Sequence, residues 1–298
     1  MGCRDEIRRV GRLGLTRSRR MSPWLMVFQR APAAPLQPFV ARLWASDGRV
    51  EISAGVTPVH EHVLPTGWMH VVVRLTDQPL YLLGRSAEQR VTLPPCLVGG
   101  ARSTFHARLT TSASCSVGAL LRPGAASLLF GVPAGELAES HTSLEHLWGA
   151  AAPRLRDELS GIGSAEGRLA LFERRLGERL PLSTGLNPEV AALLQHMRNA
   201  PTVRDAVRSS GLSHRRFIAD FRHAVGLAPK TYAQVRRFQS ALRLMRSEPA
   251  AQLVDVALGA GYSDQSHFGR EFLVLAGVTP AVYRQRAPAE ANHLPVAP

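Results

Sequence analysis

The sequence predicts a two-domain α+β protein, with a small β-domain followed by trailing helices and then an all-α unit built from two helix-turn-helix repeats. Three observations carry this. Short apolar runs broken by Pro, Gly and Asp-Gly turns fill the stretch from about Leu36 to Leu121. After Arg122-Pro123-Gly124 the apolar residues recur at helical spacing. Finally, residues 211–232 and 261–283 are two copies of one unit. The first reads Gly211-Leu212-Ser213, then Phe217, Phe221, Gly226, Pro229 and Tyr232; the second reads Gly261-Tyr262-Ser263, then Phe268, Phe272, Gly277, Pro280 and Tyr283. From the phenylalanines onward the offset is 51 residues, and at the leading glycines it is 50, because the second copy has one extra residue in its turn. A helix, a tight glycine turn, a second helix and a glycine stop, repeated, is the sequence form of a helix-turn-helix pair.

In the front half, strands are expected over 39–44, 50–56, 69–75, 80–83, 103–109 and 115–121, with Asp47-Gly48 as a hairpin turn. So many short strands suggest a small sandwich or barrel. Helices follow over 125–130, 144–159 and 166–180, either as a packing layer or as a surface that pairs two subunits. Residues 181–188 read as a linker. In the last hundred residues, Asn187-Pro188 supplies a cap and a first-turn proline, and Val190, Leu193, Leu194 and Met197 form one buried stripe. Thr202 caps the next helix, which ends at Gly211, and Ser213 caps the third. A long fourth helix runs from Pro229 to Ser247 and buries Val235, Phe238, Ala241, Leu242 and Met245. Leu253, Val256 and Ala257 line a fifth, Asp264 caps a sixth, and Thr279-Pro280 opens a seventh. The expected divisions are a basic, disordered extension (1–35), the β-domain with its helices (36–184), the double helix-turn-helix (185–286) and a disordered tail (287–298).

The chain has 298 residues, 45% of them apolar and 20% charged, an ordinary globular composition. Its net charge of +13 and pI of about 11.2 favour a polyanionic partner, nucleic acid before an anionic membrane surface. Lys230 is the sole lysine, an arginine bias that genomic base composition can produce, so where the charge lies matters more than its total. Residues 186–286 hold thirteen Arg and one Lys against seven acidic residues. Cys3, Cys96 and Cys115 are odd in number and far apart, which suits a reduced, cytoplasmic protein without a disulfide framework. No apolar run approaches the ~18 residues of a membrane span. Seven arginines precede Met21, and the apolar stretch 24–28 is too short for a signal peptide. The start reads as a floppy extension or a start codon assigned too early, with a DNA-gripping arm as the alternative.

Burying Phe217 and Phe221 turns Arg215, Ala219 and Arg222 outward, flanked by Arg216, Ile218 and His223. Burying Phe268 and Phe272 exposes Ser266 and Arg270, with Gln265 and His267 in the first turn. These residue types read base edges, Arg to guanine and Gln to adenine, while Ala and Ser allow close approach. The bland alternative is a solvated charged face, and the equivalence of the two helices weighs against it. Phosphate contacts are expected from Arg204, Arg208, Arg222, Lys230, Arg236 and Arg237.

The segment from Gly259 to Phe272, followed by Gly277-Val278-Thr279-Pro280 and Tyr283-Arg284, resembles the signature of the AraC/XylS family of bacterial transcriptional regulators. The first repeat agrees through Ser213, Arg216-Phe217, Phe221, Gly226, Pro229 and Tyr232, then Arg237-Phe238 and Ala241-Leu242. The resemblance covers about residues 187–286. It implies two helix-turn-helix units joined by the long helix, with recognition helices in consecutive major-groove segments of double-stranded DNA. It gives the base-contacting role to Arg215, Ile218, Ala219, Gln265, Ser266 and Arg270. Ile218 and Ala219 stand where polar side chains are common, so weaker reading by the first unit, or more reliance on Arg215 and Arg222, is expected. The family further implies activation more often than repression, RNA polymerase as a partner, and action at the nucleoid.

Residues 36–180 more faintly resemble an uncharacterised sensor-domain family, through Phe39-Val40 before Trp44, His62-Val63-Leu64-Pro65-Thr66-Gly67, Gly99-Gly100 and Arg122-Pro123-Gly124-Ala125-Ala126. This implies a cupin-like β-domain associated with sensing a small-molecule effector or with homodimerisation. His60 and His62 share one strand face, and His70 and His106 are candidates to join them in a metal site, but no acidic ligand lies at a convincing distance. The expectation is therefore no metal, no cofactor, no membrane role and no enzymatic activity; the alternative is a metal-dependent cupin enzyme with an appended DNA-binding domain. Trp44, Trp68, Tyr81 and Phe105 are equally apt for an effector pocket and for ordinary core packing.

Overall fold

The computed structural model describes residues 16–17, 26–47, 59–84, 89–110, 115–180, 185–200 and 202–296. The expected strand at 50–56, the Asp47-Gly48 turn, most of the basic start and half of the linker lie outside them. Among the described residues the front half contains β1 (Thr16–Arg17), β2 (Met26–Arg30), β3 (Val40–Asp47), β4 (Val59–Val63), β5 (Met69–Arg74) and β6 (Leu80–Leu83). It continues through β7 (Arg90–Thr92), β8 (Cys96–Gly99), β9 (His106–Thr110) and β10 (Ser116–Leu121). Then come α1 (Ala126–Phe130), α2 (Ala134–Leu137), β11 (His141–Ser143), α3 (Leu144–Trp148), α4 (Ala151–Ser160) and α5 (Ala165–Gly177). The back half contains α6 (Pro188–Asn199), α7 (Val203–Ser210), α8 (His214–Val225), α9 (Pro229–Ser247), α10 (Leu253–Gly259), α11 (Gln265–Ala276), α12 (Pro280–Arg286) and β12 (His293–Val296).

Two antiparallel sheets form the front half, in the orders β1-β2-β3-β10-β5-β8-β11 and β12-β4-β9-β6-β7. Side chains alternate between faces along a strand, and the two faces of the larger sheet differ. Val71, Val73, Val117 and Ala119 are fully buried. They share a face with Cys96, whose thiol reaches the Ala152 carbonyl of α4, so this face packs under α3, α4 and α5. The opposite face, carrying Trp44, His70, Val72 and Leu120, is only half-buried and looks toward the smaller sheet. There His106 of β9 meets His141 of β11, ring centroids 4.8 Å apart. The main apolar core therefore lies between sheet and helices, while the space between the sheets mixes histidines with half-buried apolar side chains.

Two expectations at the ends are corrected. Residues 26–30 are not a disordered extension: they pair with β3 from Met26↔Asp47 to Arg30↔Leu43. Residues 293–296 are not a disordered tail: they add to the edge of the smaller sheet, His293 opposite Val63 and Val296 opposite His60. Leu294 there is fully buried. The expected helix over 144–159 is two helices, because Gly149 (φ 57°) closes α3. The short strands β7, β8 and β11 and the four-residue α2 were not expected from the sequence. The four-histidine arrangement does not assemble: His60 and His62 face away from the sheet interior, where His70 and His106 are joined instead by His141. Among the described residues no group of three or more His, Cys, Asp or Glu could hold a metal ion. Nor do the four aromatic residues line one pocket, since Trp44 belongs to the sheet interior and Phe105 packs on Gly277 of the helical half.

The two halves meet at the glycine turns that end α8 and α11. Gly226 (φ 93°) lies against Ala134 and Ala101, and Gly277 (φ 73°) against Phe105 and His62. Equivalent carbonyls of the repeat accept hydrogen bonds from the β-domain backbone: Gly124 N–H donates to Ala224 O at 3.0 Å and Phe105 N–H to Leu275 O at 3.1 Å. His62 Nδ1 lies 2.9 Å from the neighbouring Ala276 carbonyl. Gln239 of α9 donates to Pro65 O at 2.8 Å and to Asn292 Oδ1 at 2.7 Å, tying the long helix to both the β-domain and the returning tail.

Gly277→Ala is expected to destabilise the chain more than Gly211→Ala. Both positions hold positive φ (73° and 69°), but a Cβ at 277 would come within 2.6 Å of the Phe105 ring, whereas at 211 nothing lies within 4 Å. Each carries a backbone cost on the order of 1 kcal/mol; denaturant titration should give Gly277→Ala an added loss of about 1–3 kcal/mol, and equal losses would mean the seam is soft. Acid should also weaken the fold. Burial, and then nearby guanidiniums, lower His70 to about 4, His141 to about 3 and His106 further still. Burial pushes Glu61 up, but Arg108 and His293 outweigh it and hold its carboxyl at about 2. All four groups bind protons more readily in the unfolded chain, so their stabilisation is complete above about pH 6.5. The imidazole share should fall from there toward pH 3, and the Glu61 share from about 4.5 toward 2. Unfolding free energies measured from pH 7.5 to 4 should decline steadily; a flat profile would contradict the buried neutral rings.

Candidate nucleic-acid interface

The scaffold of each helix-turn-helix unit is a set of aromatic rings at equivalent repeat positions. Phe217, Phe221, Phe268 and Phe272 are fully buried. Phe221 meets Tyr232 edge-on at 5.4 Å, and Phe272 meets Tyr283 edge-on at 5.6 Å, so the 51-residue repeat holds in three dimensions as well as in sequence. Edge-to-face pairs at such distances are favourable beyond the area they bury. Capping repeats too. Ser213 Oγ accepts from Arg216 N–H and Asp264 Oδ1 accepts from His267 N–H at 2.7 Å, which fixes where α8 and α11 begin. Their left-handed glycines at 226 and 277 fix where they end.

With those rings inside, the outward faces are set. Arg215 and Ala219 on α8 and their repeat equivalents Ser266 and Arg270 on α11 are all exposed, as is Gln265. A large cation in one unit thus faces a small side chain at the same place in the other. Arg222 is exposed near the end of α8, its carbonyl against Gly135 of α2; its repeat equivalent is Leu273, which is 48% exposed. Ile218 is half-buried and presents an edge rather than a full side chain. Arg216 is occupied by Asp220 at 2.5 Å, one turn along the same helix.

Arg204, Arg208, Lys230 and Arg236 are exposed on α7 and α9. Arg237, expected at the DNA backbone, is half-buried and ion-paired. Its guanidinium makes paired contacts with Glu271 of α11, at 3.0 and 2.8 Å, and lies over the Tyr262 ring at 4.5 Å. Burial lowers its pKa, but the Glu271 carboxylate outweighs that and raises it, keeping the pair ionised. Gln234 donates to the same carboxylate. Arg237, Gln234 and Glu271 therefore tie the long helix α9 to α11. The three side chains were individually visible in the sequence, but nothing in their spacing paired residues 37 and 34 positions apart. At 1.5 Å per residue the 19-residue α9 spans about 28 Å between the two units.

The family described as a helix-turn-helix domain matches residues 207–286, and a domain of unknown function (DUF6597) matches residues 29–143. The "RCS-specific HTH-type transcriptional activator RclR" of Escherichia coli (strain K12) is 30% identical over 113 residues, 37% of this chain and 39% of that protein. The "HTH-type transcriptional regulator MtrA" of Neisseria gonorrhoeae is 30% identical over 79 residues, 26% of each chain. An uncharacterised HTH-type transcriptional regulator of Haemophilus influenzae is 28% identical over 100 residues, 34% of this chain and 33% of that one. The matches thus span about a quarter to two fifths of the length of these curated relatives. Among solved structures, ToxT from Vibrio cholerae O395 aligns over 88% of this chain and 96% of its own, at 10% identity and a TM-score of 0.41. From the duplicated aromatic scaffold, the repeated caps and the family match, the C-terminal third of this chain carries a helix-turn-helix domain that resembles the AraC/XylS type.

Proposed function

We propose that the chain is a sequence-specific transcriptional regulator that acts on double-stranded DNA in the bacterial cytoplasm, responds to a small-molecule effector, and works by activation rather than repression. The observation that carries this reading is the pair of equivalent helices, α8 and α11, held on the same aromatic frame with their base-reading residue types outward. Arg215, Ala219 and Arg222 from the first unit, with the edge of Ile218, and Gln265, Ser266 and Arg270 from the second, would meet bases. Arg204, Arg208, Lys230 and Arg236 would meet phosphates. Arg237 would serve as a strut between α9 and α11 rather than a DNA contact.

The effector response is supported by the form of the front half. The space between its sheets holds a histidine cluster with buried polar atoms left without partners, where an inert packing layer would be wholly apolar, and its backbone bonds to the ends of both recognition helices. A ligand there would change how the two helices are presented. Activation would proceed through RNA polymerase bound beside the site, and a homodimer would occupy two copies of it. The relatives matched in sequence bear names of transcriptional regulators, which favours this reading over an enzyme with a DNA-binding tail.

In-vitro selection of bound DNA by the full chain should return a defined motif; recovery of random sequence would sink the reading. Against that motif, Arg270→Ala should cost about 1–3 kcal/mol, concentrated at one or two base positions. Arg236→Ala should instead weaken all sequences alike and reduce the salt dependence by about one unit of log–log slope. Competition binding over a set of single-base variants at several salt concentrations separates the two patterns. A uniform loss for Arg270→Ala would reassign that side chain to the phosphates.

A further inference from the structure

We propose that Arg102, His106, His141 and His70 form a binding site for a compact anion, a carboxylate or phosphate group, and that loop 100–105 conveys its occupancy to both recognition helices. This names the chemical class of the effector and rests on the reading of the chain as an effector-responsive DNA binder.

The site is built from three strands and a loop. His70 of β5, His106 of β9 and His141 of β11 meet between the sheets, with ring centroids 4.8 Å apart for His106 and His141 and 6.4 Å for His70 and His141. Arg102 reaches the same place, its guanidinium 3.0 Å from His141 Nδ1. Two polar atoms there are buried without a hydrogen-bond partner, Arg102 Nε and His106 Nδ1. Buried polar atoms are seldom left so, and an orphan donor on a guanidinium calls for an acceptor.

The charge balance selects an anion. Arg102 and Arg108 both bear on the three rings. The carboxylate on this side of the smaller sheet, Glu61, is already held by Arg108 at 2.5 Å and by His293 at 3.1 Å. Glu139, whose charge also acts on Arg102, accepts from Ser103 N–H at 2.7 Å. Arg102 and Arg108 would repel a cation from the ring nitrogens, whereas an oxyanion would find a guanidinium and three imidazoles, kept neutral by burial and by those guanidiniums, that are able to donate. The half-buried Val72 and Leu120 beside His70 leave the space between the sheets partly open to a ligand's apolar part.

The loop that carries Arg102 also carries the contacts to the DNA-binding half. One residue before it, Ala101 packs on Gly226 at the end of α8. Three residues after it, Phe105 donates its N–H to Leu275 O, lies on Gly277 at the end of α11 and stacks on His62 at 4.1 Å. Six residues therefore join the histidine cluster to the same structural position in both repeats. A ligand that draws Arg102 would shift the spacing or tilt of α8 and α11 together.

The test uses the full chain with inorganic phosphate, acetate and benzoate as probes, followed by calorimetry and by the imidazole NMR resonances of the protein. At least one probe should saturate a single site per chain, move the His106 and His141 resonances, and bind tenfold or more weakly to Arg102→Gln. Whether phosphate or a carboxylate does so identifies the anion. At saturation it should change affinity for the selected DNA threefold or more in the unmodified chain and leave Arg102→Gln unaffected. Binding of no probe, equal binding to Arg102→Gln, or unmoved imidazole resonances would overturn the site, and unchanged DNA affinity at saturation would overturn the coupling. If Arg102→Gln does not fold, His106→Asn and the resonances of the unmodified chain decide. DNA selection without any probe tests the regulator reading separately: random recovery there would sink that reading while probe binding still stood.

Discussion

Both recognition helices stop at a left-handed glycine, and at both stops the β-domain is waiting. A residue with φ near +70 to +90° is costly for anything but glycine, and here the absence of a side chain also lets Phe105, His62, Ala101 and Ala134 come close. The carbonyls just before these turns lack intrahelical partners, as the last carbonyls of any helix do. The β-domain backbone satisfies two of them, from Gly124 and Phe105. Helix termination and domain docking are thus one arrangement of atoms, and the orientation of each recognition helix depends on a surface outside its own unit.

The returning tail strengthens that dependence. After α12 the chain folds back so that Tyr283 donates to Ala291 O, Leu64 N–H donates to Asn292 O and β12 becomes an edge of the smaller sheet. Its His293 joins Glu61 and Arg108 inside that sheet. The β-domain is consequently built partly from residues that follow the DNA-binding unit in sequence. Separating the two halves removes a strand from one and a clamp from the other, so their stabilities cannot be apportioned independently.

How much of this was legible beforehand depended on the range of the interaction involved. The seven C-terminal helices were readable because each is set locally, by caps at Asn187, Thr202, Ser213, Asp264 and Thr279 and by apolar spacing within a dozen residues. The strands with strong apolar alternation, such as β5 and β10, were readable for the same reason. The missed strands are short and atypical: β7 is Arg-Val-Thr and exposed, and β11 is His-Thr-Ser beside a helix cap. β12 contains Pro295, a residue that weighs against a strand except at an edge, which is where it sits. Arg237 looked like one more surface cation because Glu271, which claims it, lies 34 residues away.

What the sequence determined by itself was the duplicated unit, its buried phenylalanines and the side chains turned outward by burying them. Those follow from helical geometry and short-range chemistry, which any chain segment carries with it. The tertiary structure alone decided which histidines meet between the sheets, which arginines stay exposed, and that α8 and α11 both end against the loop 100–105. Such pairings join residues tens to hundreds of positions apart, and their partners become neighbours only once the sheets close and the tail returns.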